Sequence, residues 1–187
     1  MILPIVAYGD QVLKKKAVDI DKDFPNLEEL INNMFDTMYE ANGVGLAAPQ
    51  VGKSIRLFIV DASPFEDKEP DLKDFVQVFI NPIIVDESGE EWSFNEGCLS
   101  IPTVREDVMR KPKILVRYYD ENFEYYEEEF EGLAARIIQH EYDHIEGKLF
   151  TDRLSSFKRT LLKGKLYDIS KGKVDVDYKM KFPIKYL

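Results

Sequence analysis

His140-Glu141-Tyr142-Asp143-His144 is the segment of this chain best equipped for chemistry. On a helix, imidazoles at i and i+4 project from one face and can grip a single metal ion. A carboxylate one position along can serve as general base on a water held by that ion. Both histidines of the chain lie here. The bland alternative is a polar helical face with two surface histidines.

Two imidazoles leave a catalytic site incomplete, because three protein ligands and one open position is the usual arrangement. A metzincin-type H-x-x-G-x-x-H continuation fits at Gly147 but meets Phe150 where its last histidine should stand. A thermolysin-type site takes a glutamate downstream, and none follows Glu146, which leaves Asp152 and Asp168 as weaker downstream candidates. Upstream lies the lone cysteine, Cys98, in Glu96-Gly97-Cys98-Leu99-Ser100. A thiolate beside two imidazoles suits a soft or borderline divalent ion, whereas a single cysteine without such company is a small buried hydrophobe.

These residues need elements to hold them. From Gly132 the apolar period is helical through Leu133, Ile137 and Ile138 to Ile145, and Gly147 stops it, so the histidines sit on an amphipathic helix. An earlier helix is marked by Leu27, Leu30, Ile31, Met34, Phe35 and Met38, with Asn26 as N-cap and Asn42-Gly43 as stop. A later one runs from Ser155 or Ser156 to about Ile169, with Leu161, Leu162 and Leu166 able to pack it on the body. Between the first two lie β-prone runs: Ile55 to Asp61, Val76 to Ile80 and Ile83 to Val85 broken by Asn81-Pro82, Ile114 to Tyr119, and Phe123 to Phe130. Gly43 to Gln50 reads as a tight loop and residues 64–75 as a solvated one. The expected architecture is α+β: antiparallel sheets around a central helix carrying His140, Glu141 and His144, plus a C-terminal helix, in one domain over residues 1–187.

Bulk properties limit the partners. The chain has 187 residues, 44% of them hydrophobic, enough for one sizeable core. Its net charge of −10 is uneven: residues 147–187 hold 11 Lys+Arg against 4 Asp, leaving −17 on the rest. Such a body repels nucleic acid, so specific DNA binding is not expected, while the basic tail can attract it. One cysteine allows no internal disulfide, Ile2 to Ala7 is too short for a signal-peptide core, and no apolar run approaches a membrane span. The expected location is the cytoplasm.

Three segments together are more specific than any one. Gly43-Val44-Gly45-Leu46-Ala47-Ala48-Pro49-Gln50, Glu96-Gly97-Cys98-Leu99-Ser100 and Gln139-His140-Glu141-Tyr142-Asp143-His144 resemble, in order, the signature segments of peptide deformylases. The similarity extends from the Ile2-Leu3-Pro4-Ile5-Val6 start to the basic helix after Leu154, as in the bacterial type with a C-terminal helix.

The resemblance implies removal of the N-formyl group from formyl-methionyl nascent peptides, with release of formate. It implies Cys98, His140 and His144 as ligands of one divalent ion, Fe(II) in the cell, with zinc, nickel or cobalt able to substitute. Glu141 would be the general base, and the Gln50 side-chain amide and the Leu99 backbone N–H would meet the charge that develops on the formyl oxygen. Val44, Phe94, Leu133 and Ile137 would form the methionine pocket, Gly45 would let the backbone approach the peptide substrate, and Arg105 would touch the peptide backbone. Arg136 is a departure: some members have an apolar residue there, and it either projects to solvent or narrows the pocket. Some members dock their C-terminal helix on the ribosome, and Lys158, Arg159, Lys163 and Lys165 cluster on the corresponding helix. The rival functions are a zinc endopeptidase built on the same H-E-x-x-H and a non-catalytic ribosome-associated homologue.

Overall fold

The computed structural model describes residues 1–184; Lys185, counted above in the basic tail, lies outside them. In chain order the elements are β1 (Ile5–Val6), α1 (Leu27–Glu40), β2 (Gly45–Ala47), β3 (Leu57–Asp61), β4 (Val76–Ser88) and β5 (Trp92–Cys98). They are followed by β6 (Ile101–Arg110), β7 (Lys113–Tyr119), β8 (Tyr125–Glu131), α2 (Gly132–Ile145), α3 (Ser156–Ser170) and β9 (Met180–Lys181). Strands β2, β3, β4, β7 and β8 form an antiparallel sheet in that order, β5 and β6 a separate antiparallel hairpin, and β1 and β9 a short parallel pair. This is the expected α+β arrangement, with the parallel pair as an addition.

Helix α2 runs through the middle. Its Ala135, Ile138 and Ile145 are fully buried in one cluster with Phe58, Phe79 and Val116 of the sheet. Each large apolar side chain buried this way contributes on the order of 1.5–3 kcal/mol. Phe58 and Phe79 stack with ring centroids 4.9 Å apart, giving α2 a rigid floor. The helix begins at Gly132 in a left-handed conformation (φ 62°), and its exposed N-terminal amides find a partner far away in sequence, where Leu133 N–H donates to Glu69 Oε2 at 2.8 Å. At the other end Gly147 (φ 74°) stops the helix as expected, and a Cβ there would lie 2.6 Å from the Lys14 carbonyl oxygen.

Several local expectations need correction. Asn26 is left-handed (φ 56°, ψ 34°), a conformation asparagine tolerates, and its side chain makes no capping bond to α1. Gly43 to Gln50 is not all loop: Gly45–Ala47 pairs with Val60–Phe58, and residues 48–51 form a 3-10 turn. Asn81-Pro82 does not end a strand. β4 continues through it with a register shift, and Asn81, at φ 50°, is anchored through its side-chain amide to both backbone groups of Ile20. Residues 64–75 carry two short helical turns, with Leu72 buried and Phe65 packed on the core. On α3, Leu166 and Ile169 face the body, but Leu161 points outward at 68% exposure beside Phe157 at 71%.

Candidate metal centre

The ligand atoms of Cys98, His140 and His144 all lie within 4.8 Å of one another. Two elements bring them together: α2 supplies both imidazoles, and Cys98 is the last residue of β5. Cys98 Sγ is 3.4 Å from His144 Nε2. His140 directs Nε2 toward Glu141 Oε1 at 4.0 Å and uses Nδ1 to contact Glu96 Oε1 at 2.9 Å. An ionised carboxylate only accepts, so His140 carries a proton on Nδ1. Burial alone would lower the pKa of this ring, but its contacts with Cys98 and Glu96 raise it, and a metal ion held at Nε2 would displace the second proton. Burial, and then the charge of the neighbouring His140, bring His144 down to about 3, which keeps the His144 ring neutral.

Glu96 is the hub behind the ligands. Besides His140 it accepts from Arg110 Nε at 2.8 Å and Nη2 at 3.0 Å, and from Arg136 Nη1 at 2.9 Å. Burial alone would raise its pKa, yet the hydrogen bonds from His140 and Arg110 hold the carboxyl far below the usual range and therefore charged. Arg110 passes the chain on through Asp143 Oδ2 at 2.9 Å, and Asp143 is gripped on both oxygens by Arg153 at 2.6 and 2.7 Å. The departure at Arg136 resolves inward: it is 2% exposed, donates to the carbonyls of Trp92 and Val108, and lies 4.6 Å from the Trp92 ring centre.

Glu141 is 4% exposed, and burial pushes its carboxyl up to about 7. Its Oε2 has no hydrogen-bond partner among the described residues. Gly45 makes room for it, since a Cβ at that position would fall 2.7 Å from Glu141 Oε1. Gln50 is buried, with Oε1 accepting from Ala47 N–H at 3.0 Å and Nε2 reaching Ser100 Oγ at 3.1 Å and Cys98 Sγ at 3.5 Å. The donor set fits a borderline divalent ion: one thiolate, two neutral-capable imidazoles, and an unpartnered carboxylate oxygen beside them.

Cys98, His140 and Glu141 open onto a cleft of about 1010 Å³, with His144 buried behind them. Of the residues expected around a substrate, Val44, Gly45, Phe94, Arg105 and Ile137 line it, whereas Leu133 lies behind in the core. Gln50 and Leu99 line it as well. Arg105 lies over Gly97, held by Asn95 Oδ1 at 2.8 Å and the Asn95 carbonyl at 3.0 Å. Phe150, at the position of the absent third histidine, stacks on His140 with ring centres 6.1 Å apart. Asp152 caps its own turn through the Leu149 N–H, and neither it nor Asp168 belongs to the ligand group. Sequence reasoning overlooked Phe65, set edge-on to Phe94 in the wall, and the segment 175–178 on the far side of the cleft. Neither carries a local signal, because both reach the cleft only through tertiary folding.

Comparison with known proteins agrees with this geometry. The family model described as polypeptide deformylase matches residues 2–160. A peptide deformylase of Christiangramia forsetii is 66% identical over 190 residues, covering 98% of this chain and 97% of its own. The crystal structure of a peptide deformylase from Legionella pneumophila superposes with a TM-score of 0.79 at 43% identity, over 90% of this chain and 95% of that one. The Thermotoga maritima peptide deformylase gives a TM-score of 0.75 at 41% identity, over 83% and 99%. With its three signature segments gathered around one cleft, the chain belongs to the polypeptide deformylase family.

Proposed function

We propose that this deformylase removes the formyl group from formyl-methionyl peptides at the centre formed by Cys98, His140 and His144, with Glu141 as its proton carrier. The observation that carries this reading is the convergence of the three ligand atoms within 4.8 Å beside a buried, unpartnered carboxylate oxygen. A divalent cation bound there lowers the pKa of water toward neutrality and polarises the formyl carbonyl. Fe(II), the ion implied by the family resemblance, suits one thiolate and two imidazoles, as do zinc, nickel and cobalt.

The chain's own groups supply the rest. Glu141 takes a proton from water as that water's oxygen attacks the formyl carbon, then hands it to the amine nitrogen as the C–N bond breaks, leaving formate and a free N-terminus. The Gln50 Nε2–H and the Leu99 N–H donate to the formyl oxygen as negative charge grows on it. Val44, Phe94 and Ile137 hold the methionine side chain, with Leu133 supporting them from the core. Gly45 lets the peptide backbone approach, and Arg105 contacts it from the rim. Residues 1–187 act as one domain, in the cytoplasm where formylated chains are made. No helix of the described residues is long and apolar enough to cross a membrane.

Formyl-Met peptides are expected to be cleaved roughly 100-fold or more faster than the matched acetyl-Met peptides, because the extra methyl has to fit between donors and base. Comparable kcat/KM on the two would make the enzyme a general amidase. Cleavage at internal peptide bonds would favour the endopeptidase rival.

Ribosome contact through α3 is the finer partner reading. It is supported by Arg159 and Lys163 and by the exposed Phe157 and Leu161, although Lys158 is engaged by Glu106 at 3.2 Å and Lys165 by the Thr103 carbonyl at 3.2 Å. Co-sedimentation with ribosomes is expected to fall steeply with salt, as phosphate contacts do. Salt-independent or absent sedimentation removes this reading.

A further inference from the structure

Leu99 and Ser100 form the two-residue link between β5 and β6, immediately after Cys98. This turn is held from three directions. Gln50 Nε2 donates to Ser100 Oγ at 3.1 Å, Tyr8 N–H donates to the Ser100 carbonyl at 2.9 Å, and the Tyr178 hydroxyl donates to the Leu99 carbonyl at 2.7 Å. Tyr8 follows β1 by two residues and Tyr178 precedes β9 by two, so the parallel pairing of Ile5 with Met180 brings both tyrosines to one turn.

The segment carrying Tyr178 is a strap. It leaves α3 at Ser170, turns at Gly172 (φ 79°), and runs along the cleft, where residues 175–178 form part of the wall. Leu99 and Tyr178 pack on the same apolar cluster. The strap lies beyond residue 160, where the family match ends.

We propose that Tyr178 is a positioning residue for deformylation: its hydroxyl latches the Leu99 carbonyl and so fixes the direction of the Leu99 N–H. The proposal rests on the reading of Leu99 as a donor to the formyl oxygen. A side-chain donor is aimed by its rotamer, but a backbone N–H is aimed only by holding its peptide. The Leu99 N–H and carbonyl belong to adjacent planar peptide groups joined at one Cα, so two soft torsions separate them. With Cys98 fixed in the ligand group and Ser100 fixed by Gln50 and Tyr8, the Leu99 carbonyl is the remaining handle, and Tyr178 occupies it. The simpler alternative is a half-buried phenol satisfying its own hydroxyl, and the test separates the two.

The test uses the full-length, nickel-loaded enzyme with Tyr178→Phe, Tyr178→Leu, and Lys179→Ala as an exposed control. Kinetics on a formyl-Met peptide are combined with hydrogen exchange of the segment spanning Leu99 and Ser100. In Tyr178→Phe, kcat is expected to fall roughly tenfold, the scale of a donor displaced rather than deleted, with KM nearly unchanged. Exchange at the turn should rise while the rest of the molecule exchanges as before, and Tyr178→Leu should repeat both effects if it folds. Unchanged exchange at the turn overturns the latch, whatever the rate does. Faster exchange with an unchanged kcat retains the latch and overturns the Leu99 donor reading.

Discussion

Glu141→Gln is expected to bind its metal ion at the parent stoichiometry and to lose turnover by about 10²–10⁴-fold, the span typical of a general acid–base group. The amide is nearly isosteric with the carboxylate, so the contact over Gly45 is kept, where no Cβ intrudes. None of the three ligand-bearing residues is altered. What is lost is a group that can take a proton and give it back. No other described carboxylate is placed to replace it, since Glu96 is committed to Arg110, Arg136 and His140. Metal analysis together with single-turnover kinetics checks this. A metal-replete Glu141→Gln enzyme with near-parental kcat removes Glu141 from the mechanism.

The second large effect is at Cys98. Cys98→Ala is expected to lose the ion and the activity together, because two imidazoles alone bind a divalent cation far more weakly than a three-ligand set. Loss of an outer partner of a ligand already costs about 10–100-fold in affinity or activity, and removal of a ligand exceeds that. The fold is expected to survive, since Gln50 keeps Ser100 Oγ and the Ala47 N–H, and the turn keeps Tyr8 and Tyr178. Ion titration of the metal-free protein, made anaerobically with Fe(II) and in air with nickel, measures the loss against the parent and compares the two ions. Parental affinity in Cys98→Ala would place the third ligand elsewhere.

The chemistry was more legible in the sequence than the scaffold that aims it. The His140–His144 spacing is a helical property visible in one window, and the helix is where the period placed it. Cys98 became a ligand candidate only through its neighbours, and folding brings it to the imidazoles across a hairpin that periodicity did not mark. β5 and β6 carry Glu96, Arg105, Glu106, Asp107 and Arg110 among their apolar residues, so their alternation is blurred. Arg136 was legible only in part for a related reason: a cation on an apolar helix suggests solvent or intrusion into the pocket, and it does line the cleft, but nothing local announces the buried Glu96 that receives it. Glu69 and Tyr178 act on residues far away in sequence, contacts that no local pattern encodes. Asn81-Pro82 shows the reverse case, where a strong breaker signal was absorbed by a bulge within β4 instead of ending the strand.

The linked charges behind the ligands also constrain how this sequence can drift. Arg153, Asp143, Arg110, Glu96 and Arg136 alternate in sign, and all but Arg153 are sealed from solvent. Deleting one partner of a buried pair leaves the other charge uncompensated, at about 3–5 kcal/mol, a large share of the roughly 5–15 kcal/mol that keeps a typical domain folded. Neighbouring members are therefore not independent, and a tolerated change at Glu96, Arg110 or Asp143 requires a compensating change alongside it. Arg153, whose side chain is 38% exposed, is the one place where water can stand in for a missing partner. The route by which the metal site can be remodelled over generations thus enters from the side of α2 remote from the substrate.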